Sequence, residues 1–327
     1  MAPLYAVKTE VRDGVEVYSL REEGRARVEI APALGNSCFL FECDGLPVLE
    51  PVAWDVFRNK ATSFGIPILF PFANRIRDGV FDFGGRHFKV DPPRHGFVRD
   101  KSWKVSEIGD SDESGAWVTS AFDAEDHKDQ ILKQYPFPFR VEVTYRLFKG
   151  RLTMLTLATN TGPAEMPSSF GIHPYFRLPD NASLTVAANQ RWELVDSLPT
   201  GKVLPVAGQW DLRQARELQG LQFDDILTGL IAGQDGICQC VLTDHGSATE
   251  TVVEFDAGQF PDVVVYTTPA PRKAICIEPN TSPTDAFNLL SQGHERADVV
   301  RIAPQKTMRW LIAFYTRSAG AKPSAAN

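Results

Sequence analysis

From Phe139 to Leu147 apolar and polar side chains alternate without a break. Phe139, Val141, Val143, Tyr145 and Leu147 share one face, while Arg140, Glu142, Thr144 and Arg146 take the other. Only a β-strand with one buried face reads with period two. Residues 152–159 follow closely, across Lys149, Gly150 and Arg151, so the two segments form a hairpin. A second hairpin is written into residues 79–90, where Gly84-Gly85 tolerates the left-handed backbone of a tight turn. Further strands are expected at residues 15–20, 26–31, 37–43, 103–108, 116–122, 184–188, 237–243, 251–255, 263–267, 274–278 and 307–315. Helical periodicity is weak, with short pieces expected only near 128–134 and 212–218.

So many short strands, punctuated by Gly and Pro, specify an all-β fold: a large antiparallel β-sandwich with few short helices. The chain's 327 residues are compatible with one such unit. One domain is expected over residues 1–317, with a small, polar and disordered tail at 318–327. The Pro/Gly stretch at 199–208 is the only tempting boundary, and composition does not change across it. A net charge of -7 argues against nucleic acid or an anionic membrane as partner. No run approaches the roughly 18 apolar residues that a membrane span needs. Residues 1–14 lack an apolar h-region, and the five cysteines are odd in number and scattered. Both features point to a cytoplasmic protein with reduced thiols. Asn181-Ala-Ser and Asn280-Thr-Ser match a glycosylation pattern that carries no weight without secretion.

Phosphate loops, nucleophile elbows and zinc-binding His pairs are missing from the sequence. Cys238 and Cys240 share a strand face, but no second cysteine pair lies at metal spacing, so two core residues are expected there and no metal or cofactor. Of six histidines, His87, His127, His245 and His294 lie in polar or turn contexts. His95 (Pro-Arg-His-Gly-Phe) and His173 (Gly-Ile-His-Pro-Tyr-Phe) are embedded among apolar and turn residues. Each is either a satisfied core histidine or a functional one. Glu278 closes the apolar run Ala-Ile-Cys-Ile-Glu and precedes Pro279, which restricts it to extended backbone. A carboxyl desolvated at a strand end has a raised pKa and suits a general base; a strand-terminal salt bridge is the competing reading.

Five segments, in order, resemble the aldose 1-epimerase (galactose mutarotase) family, and the similarity runs from about residue 15 to 315. They are Phe64-Gly-Ile-Pro-Ile-Leu-Phe-Pro-Phe-Ala-Asn-Arg-Ile76, His95-Gly-Phe-Val-Arg-Asp-Lys-Ser-Trp103, Ser169-Phe-Gly-Ile-His-Pro-Tyr-Phe176, Phe223-Asp-Asp-Ile226 and Cys276-Ile-Glu-Pro-Asn280. The resemblance implies the family's large sandwich. It implies that Glu278 is the general base on the anomeric hydroxyl and His173 the general acid on the ring oxygen. His95, Arg75, Asn74 and Asp224 would hold the sugar, with Asp224 preferred over Asp225 by register. Such proton transfers need no metal or redox cofactor. Glu278 and His173 are expected to converge in one open cleft with a sugar ring's width between them. The Pro-rich run before Asn74 and the Gly-Phe after His95 depart from the galactose-type pattern and resemble a bacterial branch of broad aldose specificity.

The function implied is a mutarotase acting on a small-molecule hexose, as a monomer or homodimer. One alternative keeps the fold and takes a hexose 6-phosphate, because Arg75, Arg77, Arg94 and Arg99 cluster in sequence and guanidinium forks bind phosphate. A second is a non-catalytic carbohydrate-binding protein, since sandwiches host many functions. A third, a glycoside hydrolase or lyase, would need another carboxylate near Glu278.

Overall fold

The computed structural model describes residues 3–320. The alternating segment becomes the strand Phe139–Phe148, and its five apolar side chains are completely buried. It pairs with Arg151–Asn160 on one side and Gly115–Asp123 on the other. These lie in a nine-stranded antiparallel sheet in which Thr307–Ser318, Thr249–Asp256, Ile237–Asp244 and Ala182–Val186 follow outward.

An eight-stranded sheet packs against it. Its centre is formed by Asp224–Leu230, Asp262–Thr267 and Ala274–Asn280, with Gly171–Ile172 and Ile68–Leu69 continuing one edge. The period-two rule sorts its side chains. Val263, Val265, Ile275 and Ile277 join Val141 and Val143 in one core between the sheets. Each fully buried side chain of this kind stabilises by about 1.5–3 kcal/mol. Val264, Tyr266, Cys276 and Glu278 therefore point away from that core. Their face becomes the floor of a cleft.

A five-stranded meander, from Tyr5–Arg12 through Leu46–Pro47, packs beside the nine-stranded sheet. The buried Tyr145 hydroxyl donates to the Asn36 carbonyl at 3.0 Å and ties the two together. Helix is confined to two six-residue pieces, Trp54–Asn59 and Ala286–Ser291, and short 3-10 turns. No helix among the described residues is long and apolar enough to cross a membrane.

Several expectations need correction. Residues 212–218 form a bend followed by a two-residue strand at Arg216–Glu217, not a helix. Residues 128–134 make irregular turns with only scattered helical hydrogen bonds, such as Leu132 N–H to the Lys128 carbonyl. The Pro/Gly stretch at 199–208, which is not a boundary in the one-domain reading, lies largely within the strand Leu198–Pro205, which pairs with Ala188–Val195. The expected tail starts too early. Ser318 ends a strand and Ala319 N–H reaches the Ala248 carbonyl at 2.8 Å; residues 321–327 lie outside the described residues.

Candidate active site

Strand register assembles the site. Asp224 is opposite Tyr266, Tyr266 opposite Cys276, and Cys276 opposite Tyr175, so these four form one row across four strands. Val264 and Glu278 are paired in the next row. His173 precedes Tyr175 by two residues and presents its ring beside the row. The two rings stack at 4.6 Å. The strand Gly171–Ile172, which leads into His173, lies very close to the one carrying Glu278. A side chain at Gly171 would meet Asn280 Oδ1 at 1.8 Å, so only glycine fits there.

Two loops close the cleft. Asn74 and His95 both have left-handed backbone, with φ of 54° and 62°. Asn and His tolerate this better than most residues, at a cost of about 1–3 kcal/mol each. The His95 N–H donates to the Asn74 carbonyl at 2.6 Å, and Arg75 and Arg94 form a backbone bridge beside it. Gly96 also has positive φ, and a Cβ there would lie 2.0 Å from the Phe70 carbonyl oxygen. The motif's glycine therefore lets the two loops touch and puts His95 against His173, with ring centroids 5.5 Å apart.

The result is a cleft of about 460 Å³ lined by Asn74, Arg75, Arg94, His95, Arg99, His173, Tyr175, Asp224, Tyr266 and Glu278, with Thr62, Ser63 and Val264. All six residues singled out from the sequence line it. Of the adjacent acidic pair, Asp224 faces the cleft and accepts a hydrogen bond from Ser197 at 2.8 Å. The expected spacing of the central pair is wrong. His173 Nε2 lies 3.1 Å from Glu278 Oε1, in direct contact and without a ring's width between them.

Burial decides the proton state of that pair. Glu278 is 1% exposed. Desolvation pushes its carboxyl well above the usual carboxylate range, and the charge of Asp224 acts the same way. Desolvation pushes the His173 imidazole down to about 3, with Arg99, Arg272 and Arg94 adding to the effect. His95 is likewise pushed well below its ordinary value by burial and then by His173 and the arginines. A 3.1 Å contact fits either carboxylate–imidazolium or carboxylic acid–imidazole. In a desolvated site the neutral form is favoured. The two forms differ by one proton moved along one hydrogen bond.

Tyr175, Tyr266, Cys276 and Arg272 were not anticipated. The first three could have been found from period two, since each lies two residues from His173, Val264 or Glu278. Arg272 carried no local signal. It donates to Glu50 Oε2 at 2.7 Å and to the Ser63 carbonyl at 2.6 Å. Its guanidinium also stacks on Phe64 at 4.2 Å and Tyr175 at 4.4 Å, fixing the tyrosine under His173. Ligand atoms of His173, Cys276 and Glu278 lie within 4.8 Å of one another, a cluster that the sequence did not reveal. Burial pushes the Cys276 thiol well up.

Comparison with known proteins agrees with this architecture. The sequence model of the aldose 1-epimerase family matches residues 44–311. The structure resembles a galactose mutarotase-like protein of Clostridium acetobutylicum, with a TM-score of 0.86 and 22% identity over 96% of this chain and 99% of the other. It also resembles a galactose 1-epimerase of Lactobacillus acidophilus, with a TM-score of 0.76 and 15% identity over 96% of this chain and 100% of that one. An uncharacterised Escherichia coli protein, YphB, is 25% identical over 155 residues, which span 46% of this chain and only 48% of that relative. With a matching sequence over most of its length and the same sandwich in three dimensions, the chain belongs to the aldose 1-epimerase family.

Proposed function

We propose that the protein is a mutarotase that interconverts the α and β anomers of an aldose by opening and reclosing the pyranose ring. The observation that carries this reading is the 3.1 Å contact between His173 Nε2 and Glu278 Oε1 on the cleft floor. The anomeric hydroxyl and the ring oxygen hang on the same carbon. Two proton-carrying groups one hydrogen bond apart can therefore address both at once.

Starting from carboxylate and imidazolium, Glu278 takes the proton of the anomeric hydroxyl as His173 protonates the ring oxygen. The C1–O5 bond breaks and C1 becomes an aldehyde. Rotation about C1–C2 presents the other carbonyl face, and reversal of both transfers gives the other anomer. Net charge stays constant within the pair. Ring opening leaves a carboxylic acid and a neutral imidazole, the distribution that burial favours. The resting acid–imidazole pair reaches the reactive ion pair by moving one proton along the 3.1 Å hydrogen bond, and ring opening returns it to its resting form. His95, Arg75, Asn74 and Asp224 hold ring hydroxyls, and Tyr175 supports the His173 ring. Each positioned proton-transfer group contributes typically about 10²–10⁴ in rate.

Polarimetry of freshly dissolved α-glucose or α-galactose tests the proposal. A mutarotase shortens the approach to equilibrium in proportion to its concentration. Unchanged kinetics with a panel of aldoses would leave only a carbohydrate-binding role.

A further inference from the structure

Asp224 enters the cleft at the first position of its strand, and it is exposed. A carboxylate in that setting samples several rotamers, and ordering one of them on binding weakens affinity. One contact counters this. Ser197 Oγ donates to Asp224 Oδ2 at 2.8 Å, the only hydrogen bond to that side chain among the described residues. Ser197 comes from a remote element. It lies in the turn of the edge hairpin formed by Ala188–Val195 and Leu198–Pro205. Asp196 and Ser197 both have left-handed backbone, with φ of 53° and 60°, as a two-residue type I′ turn requires.

The ladder joining this hairpin to the strand of Asp224 ends at Arg191 opposite Leu227, well short of Asp224. Other groups hold the hairpin's far end. Arg77 donates to the Pro199 carbonyl at 3.1 Å, and His294 Nε2 donates to the Gly201 carbonyl at 2.7 Å. Asp285 holds Arg77 in turn, accepting from its backbone N–H at 2.9 Å and from its guanidinium at 3.3 Å. The Asp285 N–H donates to the Arg75 carbonyl at 2.9 Å. One buried carboxylate residue therefore sets both the loop of Asn74 and Arg75 and the hairpin whose turn carries Ser197.

We infer that Ser197 is a positioning residue for sugar binding: its hydroxyl fixes the Asp224 carboxylate, engaging Oδ2 and leaving Oδ1 to accept from a ring hydroxyl. This rests on the mutarotase reading above and on the place it gives Asp224. Two variants test it. Ser197→Gly suits the left-handed turn and removes the donor, whereas Ser197→Asn suits the turn and keeps a donor. Anomer-resolved exchange NMR over a range of glucose and galactose concentrations gives KM and kcat for each, alone and combined with Asp224→Ala. One such hydrogen bond at an exposed site is worth about 2–10-fold. Ser197→Gly should raise KM by that factor with kcat unchanged, and Ser197→Asn should lie closer to the wild type. Once Asp224 is alanine, Ser197→Gly should cost nothing further. An unchanged KM in Ser197→Gly, a loss borne by kcat, or the same loss repeated in the Asp224→Ala background overturns the inference and leaves the mutarotase reading standing. No acceleration of either sugar by the wild type removes that reading, and the inference with it.

Discussion

Replacing Glu278 with glutamine changes the side chain's volume very little and takes away the group proposed to accept the anomeric proton. The amide can still hydrogen-bond His173 across the 3.1 Å contact, so the cleft should keep its shape. Loss of a positioned general base lowers turnover by about 10²–10⁴, or roughly 3–5 kcal/mol in barrier height. Stability should move the other way. The carboxyl's folded-state pKa lies above its unfolded value, so the folded chain binds the extra proton and loses stability as pH rises through this window. At neutral pH the unfolded chain gains from ionising Glu278, and glutamine cannot ionise. The variant should therefore melt no lower than wild type, and each kcal/mol recovered adds about 2 °C in a chain of this size. Polarimetry, with thermal unfolding at pH 5 and pH 8, reads both effects. Turnover within tenfold of wild type would refute the base assignment. A wild-type chain no less stable at pH 8 than at pH 5, relative to the variant, would refute the burial argument.

His173→Asn should reduce turnover comparably, and combining it with Glu278→Gln should cost little more, because the two act as a unit; additive losses would separate their roles. His173, at about 3, and His95 have folded-state pKa values below the unfolded one, so the unfolded chain binds more protons below about pH 6.5. Stability should fall as pH drops through that range, and His95→Gln should flatten the fall in a pH series of melting curves. Arg272→Gln leaves Glu50 unpaired in a mostly buried site and frees Tyr175. A cost of about 1–3 kcal/mol, seen as a lower melting temperature by roughly 2–6 °C, should accompany a raised KM.

Much of the sandwich was legible because one buried face imposes alternation. The strands Ala26–Ala31 and Ser37–Cys43 were delimited to the residue. Elements that fail to alternate escaped. Leu198–Pro205 carries Pro199, Gly201 and Pro205 and is an edge strand, so its composition reads as loop. Tyr5–Arg12 buries only Tyr5 fully. The six-residue helices are too short to show a period. His173 and Glu278 stood out because each combines a polar group, an apolar context and a following proline. Their separation did not. It depends on register across Gly171 and Asn280, which local sequence does not encode, and so a direct hydrogen bond was missed. Arg272 was invisible for a similar reason, since its partner Glu50 is remote in the chain.

Exchange NMR of an aldose in deuterated buffer bears most directly on the claim that the paired groups shuttle protons only between the ring oxygen and the anomeric hydroxyl. Cross-peaks joining the α and β signals should grow with protein concentration while the proton on C2 is fully retained. Interconversion no faster than in buffer, or loss of the C2 signal to deuterium, would contradict it.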